Sequence, residues 1–353
     1  MVDRQTIEAW RKAPRLNAFA PFFERTARGL GGMPDIGTPK PDISLLEFDL
    51  DCMVFWDTHR RLWGRFDNHY FASIPYRLEE ECRLATAMLF FALSAWARRR
   101  RAATVYTLGA GAGTLARALA RLGDGRLKTL CCSPTDGNRV SFFARRGSEH
   151  AHFHHGPFFD LDDERYETDE NLQPFREGYD LLLEDTTFQM YGRDRKEQLA
   201  VIAPRIRADG LLIQVQKIAN ADIQAYLERE RQKDEQFKPR YFSRTEIVAK
   251  KHEILDTMTK FQVDLESSIG ALRSYFSYSV VTWNSGNFYT IVSSNSPASL
   301  RRFLISMLKP AIPKEYCYEQ LPLVFVRESA PPLKERWGWR PARSPVADPD
   351  AVK

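Results

Sequence analysis

From about residue 102 the chain alternates short apolar runs with amphipathic stretches, the pattern of strands and helices wound into one parallel sheet. ATVYTL (103–108), LKTLCC (127–132) and YDLLLED (179–185) are continuous apolar runs and read as strands buried on both faces. HAHFHH (150–155) reads as a weaker strand and GLLIQVQKI (210–218) as a further one. Between them GTLARALARLG, NRVSFFARRG and RDRKEQLAVIAPRIRADG carry helical spacing, the last ending at Gly210. A long helical region from Ser243 to about Arg273 precedes two β-rich runs, SYFSYSVVTW and FYTIVSSN. The Asn-Ser-Gly-Asn between those runs predicts a hairpin, and SLRRFLISMLKPAIP predicts a final helix. The expected fold is α/β: a doubly wound, mostly parallel sheet of seven strands with a final antiparallel hairpin.

The first hundred residues follow another pattern. A helix and an extended Pro- and Gly-containing loop are expected up to about residue 45, then the aromatic-rich FWDTHRRLWGRFDNHYFASIPYR, too heavy in large side chains for a linker. Pro75, Tyr76 and the run at 77–101 make a helix with acids in its first turn and arginines in its last. The expected division is a mainly helical cap at 1–100, a sheet domain at 101–328, and a Pro-rich, disordered tail at 329–353.

Composition narrows the class without naming a function. With 353 residues, 43% hydrophobic and 27% charged, the chain can bury a large core and is not grossly disordered. A formal charge of +5 is too small for this length to argue nucleic-acid binding. Five cysteines without a CxxC spacing, two of them adjacent in an apolar run, point to reduced thiols rather than a disulfide framework or zinc site. No stretch reaches the ~20 apolar residues of a membrane span, and the N-terminus lacks the apolar core of a signal peptide. A soluble, cytoplasmic protein is expected, with homo-oligomerisation left open.

The chemistry concentrates at Gly109-Ala110-Gly111-Ala112-Gly113, which follows a strand and opens a helix. Such a turn can cradle a dinucleotide, a nucleotide phosphate or S-adenosylmethionine (SAM). The dinucleotide fingerprint needs a third glycine where this chain has Thr114, and no Lys-Ser/Thr follows to make a phosphate loop. At this point the chain resembles the class I SAM-dependent methyltransferases. The resemblance rests on VYTLGAGAG, LKTLCCSPTDGN, YDLLLEDTTFQMY and PRIRADGLLIQVQK with the closing hairpin, in that order over residues 100 to 295.

That resemblance implies SAM as cofactor, with Gly109, Gly111 and Gly113 along its methionine end. The family's ribose-binding acid falls on Ser133, with Thr135 and Asp136 close behind, so either Ser133 or Asp136 takes that place. Asp160 falls where the family uses an acid against the adenine amino group, and Phe158 and Phe159 are candidates for an apolar wall. Arg77, just ahead of the first strand's helix, is a candidate for the methionine carboxylate.

Topology places the reacting groups at the carboxyl end of YDLLLED. Asp185 is the candidate base or acceptor-orienting group there, and Tyr191 a second polar contact. Tyr70, Tyr76, Thr187 and Trp283 are candidates for the acceptor side. The chain lacks Asn-Pro-Pro-Tyr, which lowers methylation of nucleobases or translation factors. His150, His152, His154 and His155 alternate along a strand without acids at ligand spacing, so no metal is assigned. A methyltransferase of a small-molecule acceptor, a specialised metabolite or an amino-acid-like compound, is the first reading. RNA or protein methylation, and a non-catalytic scaffold of the same fold, stay as alternatives.

Overall fold

The computed structural model describes residues 2–310 and 312–331, so the tail expected at 329–353 lies outside the described residues from 332 onward. Helices α1 (Arg4–Arg11), α2 (Ala20–Arg28), α3 (Leu50–Arg61), α4 (Arg65–Phe71) and α5 (Arg77–Arg99) lead into the sheet. Strands β1 (Ala103–Leu108), β2 (Leu127–Ser133), β3 (Ala151–His155), β4 (Tyr179–Asp185) and β5 (Ile206–Lys217) pair in parallel. They alternate with α6 (Thr114–Gly123), α7 (Asp136–Ala144), α8 (Asp163–Thr168) and α9 (Arg195–Ile202). β6 (Tyr278–Ser285) and β7 (Phe288–Ser294) form the antiparallel hairpin, with β7 inserted beside β5. The order is β3-β2-β1-β4-β5-β7-β6-β8, a doubly wound sheet with an antiparallel end, as the methyltransferase resemblance implied.

One strand was not foreseen. β8 (Leu323–Val326) hydrogen-bonds antiparallel to Tyr278–Val281 and covers the edge that β6 would otherwise expose. Two boundaries also differ. Pro204 cannot continue a helix, so α9 stops at Ile202 and β5 starts at Ile206 instead of Gly210. The hairpin turn is tighter than the four-residue link expected: the strands run to Ser285 and from Phe288, and Gly286 (φ +57°) supplies the left-handed position. After α10 (Ile223–Gln232), the long helical region expected from Ser243 divides among α11 (Arg244–Lys250), α12 (Asp256–Thr259) and α13 (Leu265–Arg273), followed after the hairpin by α14 (Pro297–Ser306).

The sheet is buried on both faces. Val105, Leu127, Leu181, Leu183 and Ile213 pack with side chains of α3, α5, α6 and α14, whereas Tyr106, Leu130, Leu182 and Leu212 share a core with Trp10, Phe22 and Leu272. The cap and the sheet therefore share both cores. Among the described residues no helix is long and apolar enough to cross a membrane.

Helix α5 is held by polar contacts that would be costly to leave unmade. Arg83 donates to Glu80 Oε2 at 2.7 Å and to the carbonyls of Leu308 at 2.6 Å and Thr282 at 3.0 Å, while Thr290 donates to Glu80 at 2.9 Å. At the other end, Arg99 and Arg101 pair with Asp180, which also accepts from the Thr104 amide at 2.9 Å. Two of the four consecutive arginines thus lock the helix onto β4.

Glu79, buried in the first turn of α5, accepts from the Asp42 amide at 2.7 Å, and burial pushes its carboxyl up to about 7. A carboxyl raised in the folded state contributes fully below its unfolded value of 4.5 and loses that contribution as pH rises toward 7. Glu79→Gln removes the titration while keeping an acceptor. Urea unfolding at a series of pH values should show the variant gaining on wild type by up to about 1 kcal/mol per pH unit across that window, then levelling. A difference independent of pH would exclude this assignment.

Candidate functional site

Strand order reverses between β1 and β4, and a cleft opens at their carboxyl ends, where open α/β sheets collect ligands. The cleft encloses about 1050 Å³, its open mouth included. Its floor is the exits of β1, β2, β3 and β4; its walls come from α2, α4 and the residues between β5 and β6.

The exit of β1 is the glycine turn. Gly109, Gly111 and Gly113 all lie in the left-handed region, at φ +75°, +53° and +67°. A Cβ on Gly109 would lie 1.5 Å from Thr187 Oγ1, and one on Gly111 2.5 Å from a Phe66 ring carbon. Both glycines line the cleft, whereas Gly113 caps α6 and a Cβ there would meet Cys131 Sγ at 2.4 Å. Gly113 is thus a packing glycine, and Gly109 and Gly111 keep the cradle open.

At the exit of β2, Ser133 is buried and lines the cleft, its Oγ accepting from the Thr135 amide at 3.3 Å and Asn138 Nδ2 at 3.1 Å. Asn138 Oδ1 is buried with no protein partner, a bare acceptor on a residue of the cleft wall. Arg15 joins this wall, donating to Thr135 Oγ1 at 2.7 Å with its guanidinium over the Phe23 ring. Asp136 corrects the expectation placed on it. As the first residue of α7 it faces solvent and pairs with Arg139 at 2.7 Å and Arg28 at 3.2 Å, away from the cleft.

Beyond β3, Phe158 lines the cleft, but Phe159 is turned into the core against Trp10 and Tyr191. Asp160 is likewise outside the cleft lining, paired with Arg11 at 2.8 Å. His152, on β3, bonds Asn171 at 2.9 Å.

The exit of β4 is the most constrained part of the site. Glu184 is fully buried, accepting from the Thr187 amide at 2.7 Å, the Phe188 amide at 3.0 Å, Gln216 at 2.8 Å and Gln214 at 3.2 Å. This carboxylate holds Thr186 at φ +51°, an uncommon conformation for a β-branched residue. Asp185 accepts from Tyr70 O–H at 2.5 Å and from Arg77 Nη2 at 2.9 Å. Arg77 is fully buried and also pairs with Glu81 at 2.7 Å, so it stands behind Asp185 instead of reaching the cleft. Burial pushes the Tyr70 phenol well above its usual range, with Asp185 adding to the shift, and Tyr70 remains a donor. Tyr70, Thr187 and Tyr191 line the cleft; burial also pushes the Tyr191 phenol up. A smaller hollow adjoins Gly109 and Gly111 and is lined by Asp67, Glu81 and Asp185.

Tyr76 and Trp283 are outside the cleft lining. Tyr76 packs against Phe237 and Tyr316 at the start of α5, and Trp283 packs with Ile74 and Phe288 beneath the hairpin. Residues that the sequence did not single out line the cleft in their place: Arg15, Asn138, His69, Ser73 and a set of lysines. Of these, Lys217, at the end of a recognisable strand, and Asn138, at the end of the LKTLCCSPTDGN segment, carried a positional signal.

No family model matches the chain, and no curated protein matches it. Among solved structures it is similar to an O-methyltransferase family protein from Burkholderia thailandensis, at 18% identity and a TM-score of 0.38, over 61% of this chain and 57% of that one. It is similar to the mitomycin 7-O-methyltransferase MmcR at 13% identity and a TM-score of 0.38, over 82% of this chain and 71% of that one. It is also similar to the plantazolicin methyltransferase BamL, solved with a triazolic desmethylPZN analog and SAH, at 10% identity and a TM-score of 0.44, over 73% of this chain and all (100%) of that one. The matched region spans little more than half the length of the Burkholderia protein, 57%.

The turn geometry separates two glycines sharply. Gly109→Ala should cost at least about 2 kcal/mol in urea unfolding, because it combines a left-handed alanine with overpacking against Thr187. Gly270 lies within α13, where a Cβ would meet nothing within 4 Å. Gly270→Ala should leave stability unchanged or raise it by up to about 1 kcal/mol. Equal effects of the two substitutions would contradict the constraint assigned to the turn.

Proposed function

We propose that this protein is a SAM-dependent methyltransferase acting on a small-molecule acceptor. The observation that carries the reading is the cradle itself: two left-handed glycines with no room for a Cβ, beside a buried Asn138 Oδ1 that has no protein partner. A nucleoside diol supplies the O–H donors that such an acceptor needs, so Ser133 and Asn138, with Arg15 beside them, stand in for the family's ribose-binding acid. Phe158 offers its ring to the adenine side. The hollow lined by Asp67, Glu81 and Asp185 suits an ammonium group and adjoins the glycine turn, as the methionine amino end requires. Bound SAM would supply an electrophilic methyl on a sulfonium.

The chain's own contribution is alignment and exclusion of water. Phe22, Phe66, Tyr70 and Phe288 give the acceptor side an aromatic wall, which suits a compact acceptor seated in a pocket. Asp185 has one oxygen on Tyr70 and the other on Arg77, so it acts as a positioning group that fixes the Tyr70 ring at the cleft wall. The five cysteines are all free thiols, which fits a reducing, cytoplasmic setting.

Calorimetry with SAM and S-adenosylhomocysteine (SAH) tests the reading, with both expected to bind. Asn138→Ala should weaken binding about tenfold, the effect of one lost hydrogen bond to a buried acceptor. Gly111→Asp should abolish it by filling the cradle. No binding of either compound to wild type would overturn the proposal.

A further inference from the structure

The acceptor side of the cleft is lined by cations. Lys217 ends β5, and Lys233, Lys238 and Lys250 come from the helical segments that follow it. Among the described residues that line this cleft there is no Asp or Glu. Two carboxylates stand behind the lysines. Glu230 Oε2 is 2.6 Å from Lys217 Nζ and 2.5 Å from Lys233 Nζ, and Asp234 Oδ1 is 2.7 Å from Lys238 Nζ. Four ammonium groups facing two carboxylates leave an excess of positive charge at a cavity wall.

Lys250 is where that excess is least relieved. Its Nζ donates to Ser73 Oγ at 2.6 Å and lies 2.7 Å from His69 Nε2. His69 is an uncharged partner: burial, with Lys250 beside it, holds its imidazole well below the usual range, and its Nδ1 faces the Gly32 carbonyl. No carboxylate lies within ion-pairing distance of Lys250 among the described residues. An ammonium has three N–H donors, so one remains beyond the two already placed. Burial together with Lys238 and Lys233 pushes the Lys250 ammonium well below its ordinary range, and burial and Lys233 bring Lys238 down to about 8.

Ion pairing within the fold accounts for Lys217 and Lys233, which share Glu230, but supplies no acid for Lys250. A buried amine without a counter-charge gives up its proton readily, and an anion placed beside it would hold it as the ammonium. The same cleft also presents apolar side chains, Leu255, Met258 and Phe288. We propose that the acceptor is an anion, an apolar ring-sized body bearing a carboxylate or phosphate, and that Lys250 and Lys238 receive its charged group. The inference rests on the methyltransferase reading only in calling this ligand the acceptor.

The test is calorimetry on SAH-loaded protein with a panel of hydroxylated benzoic and cinnamic acids. Each is matched to its methyl ester, and the hydroxyphenyl phosphates are added as a second arm. The best acid or phosphate should bind at least about tenfold more tightly than its neutral counterpart, the worth of one charge-assisted hydrogen bond. Whichever arm binds better identifies the anionic group. Lys250→Met and, separately, Lys238→Met should abolish the preference while SAH affinity stays at the wild-type value, which also certifies that the variants fold. Esters binding as tightly as acids, no binding by any anionic probe, or a preference surviving both substitutions would overturn the inference. Wild type that binds SAH but prefers the esters would refute the anionic acceptor alone, whereas wild type that fails to bind SAH would refute the methyltransferase reading itself.

Discussion

Arg77 is buried completely at the junction of cap and sheet, and the geometry of the site follows from how its charge is answered. Its Nη2 reaches Asp185 at the end of β4 and Glu81 one turn along α5. At an effective dielectric near 20, each contact is worth about 6 kcal/mol in Coulomb attraction. Withdrawing three charged groups from water costs several kcal/mol per ion, so the cluster's net effect on stability is small. Its effect on shape is larger. Asp185 also accepts from Tyr70, so one carboxylate ties α4, α5 and β4 to a single arrangement. Separating α5 from β4 leaves Asp185 without its counter-charge, and moving α4 takes away its phenol donor.

The backbone around this cluster is held in conformations that ordinary side chains avoid. Tyr76 opens α5 at φ +55°, Thr186 leaves β4 at φ +51°, and the glycine turn passes three times through the left-handed region. Strain of this kind persists only where the surroundings over-determine it. Glu184 does so for Thr186, with two amides and two glutamines on one carboxylate. Tyr76 is held by aromatic packing against Phe237 and Tyr316. The strained residues around the cradle and at the start of α5 are thus also well anchored.

The sheet was legible because strands buried on both faces leave continuous apolar runs, and ATVYTL, LKTLCC and YDLLLED have no competing period. The glycine turn was legible because left-handed backbone leaves few alternatives to glycine. Side-chain direction was not. Asp136 and Asp160 sit next to strand exits in the sequence, but each turns outward to an arginine from the N-terminal helices, a pairing across more than a hundred residues. Asn138 lies two residues past Asp136 on the same helix and faces the cleft instead; only the helix's rotation decides between them. The lysines were hidden for another reason. Lys233, Lys238 and Lys250 lie in short α, 3-10 and π turns, where no single period relates neighbouring side chains. β8 was missed because LVFV is too short to distinguish from any apolar patch.

Charge is divided between the cleft and the smaller hollow beside the glycine turn. Asp67, Glu81 and Asp185 gather beside the glycine turn, whereas Lys217, Lys233, Lys238 and Lys250 gather at the end of β5 and the segments beyond it. A cationic group is favoured at the first pole and disfavoured at the second; an anionic group has the opposite preference. Like charges meeting inside a cavity of low dielectric repel strongly, so a group of either sign is excluded from one pole as well as attracted to the other. Between the poles lie Phe66 and Tyr70, on the helix that carries His69 to Lys250 and Tyr70 to Asp185. One turn of α4 thus touches both charged clusters, and its register sets how far apart they stand.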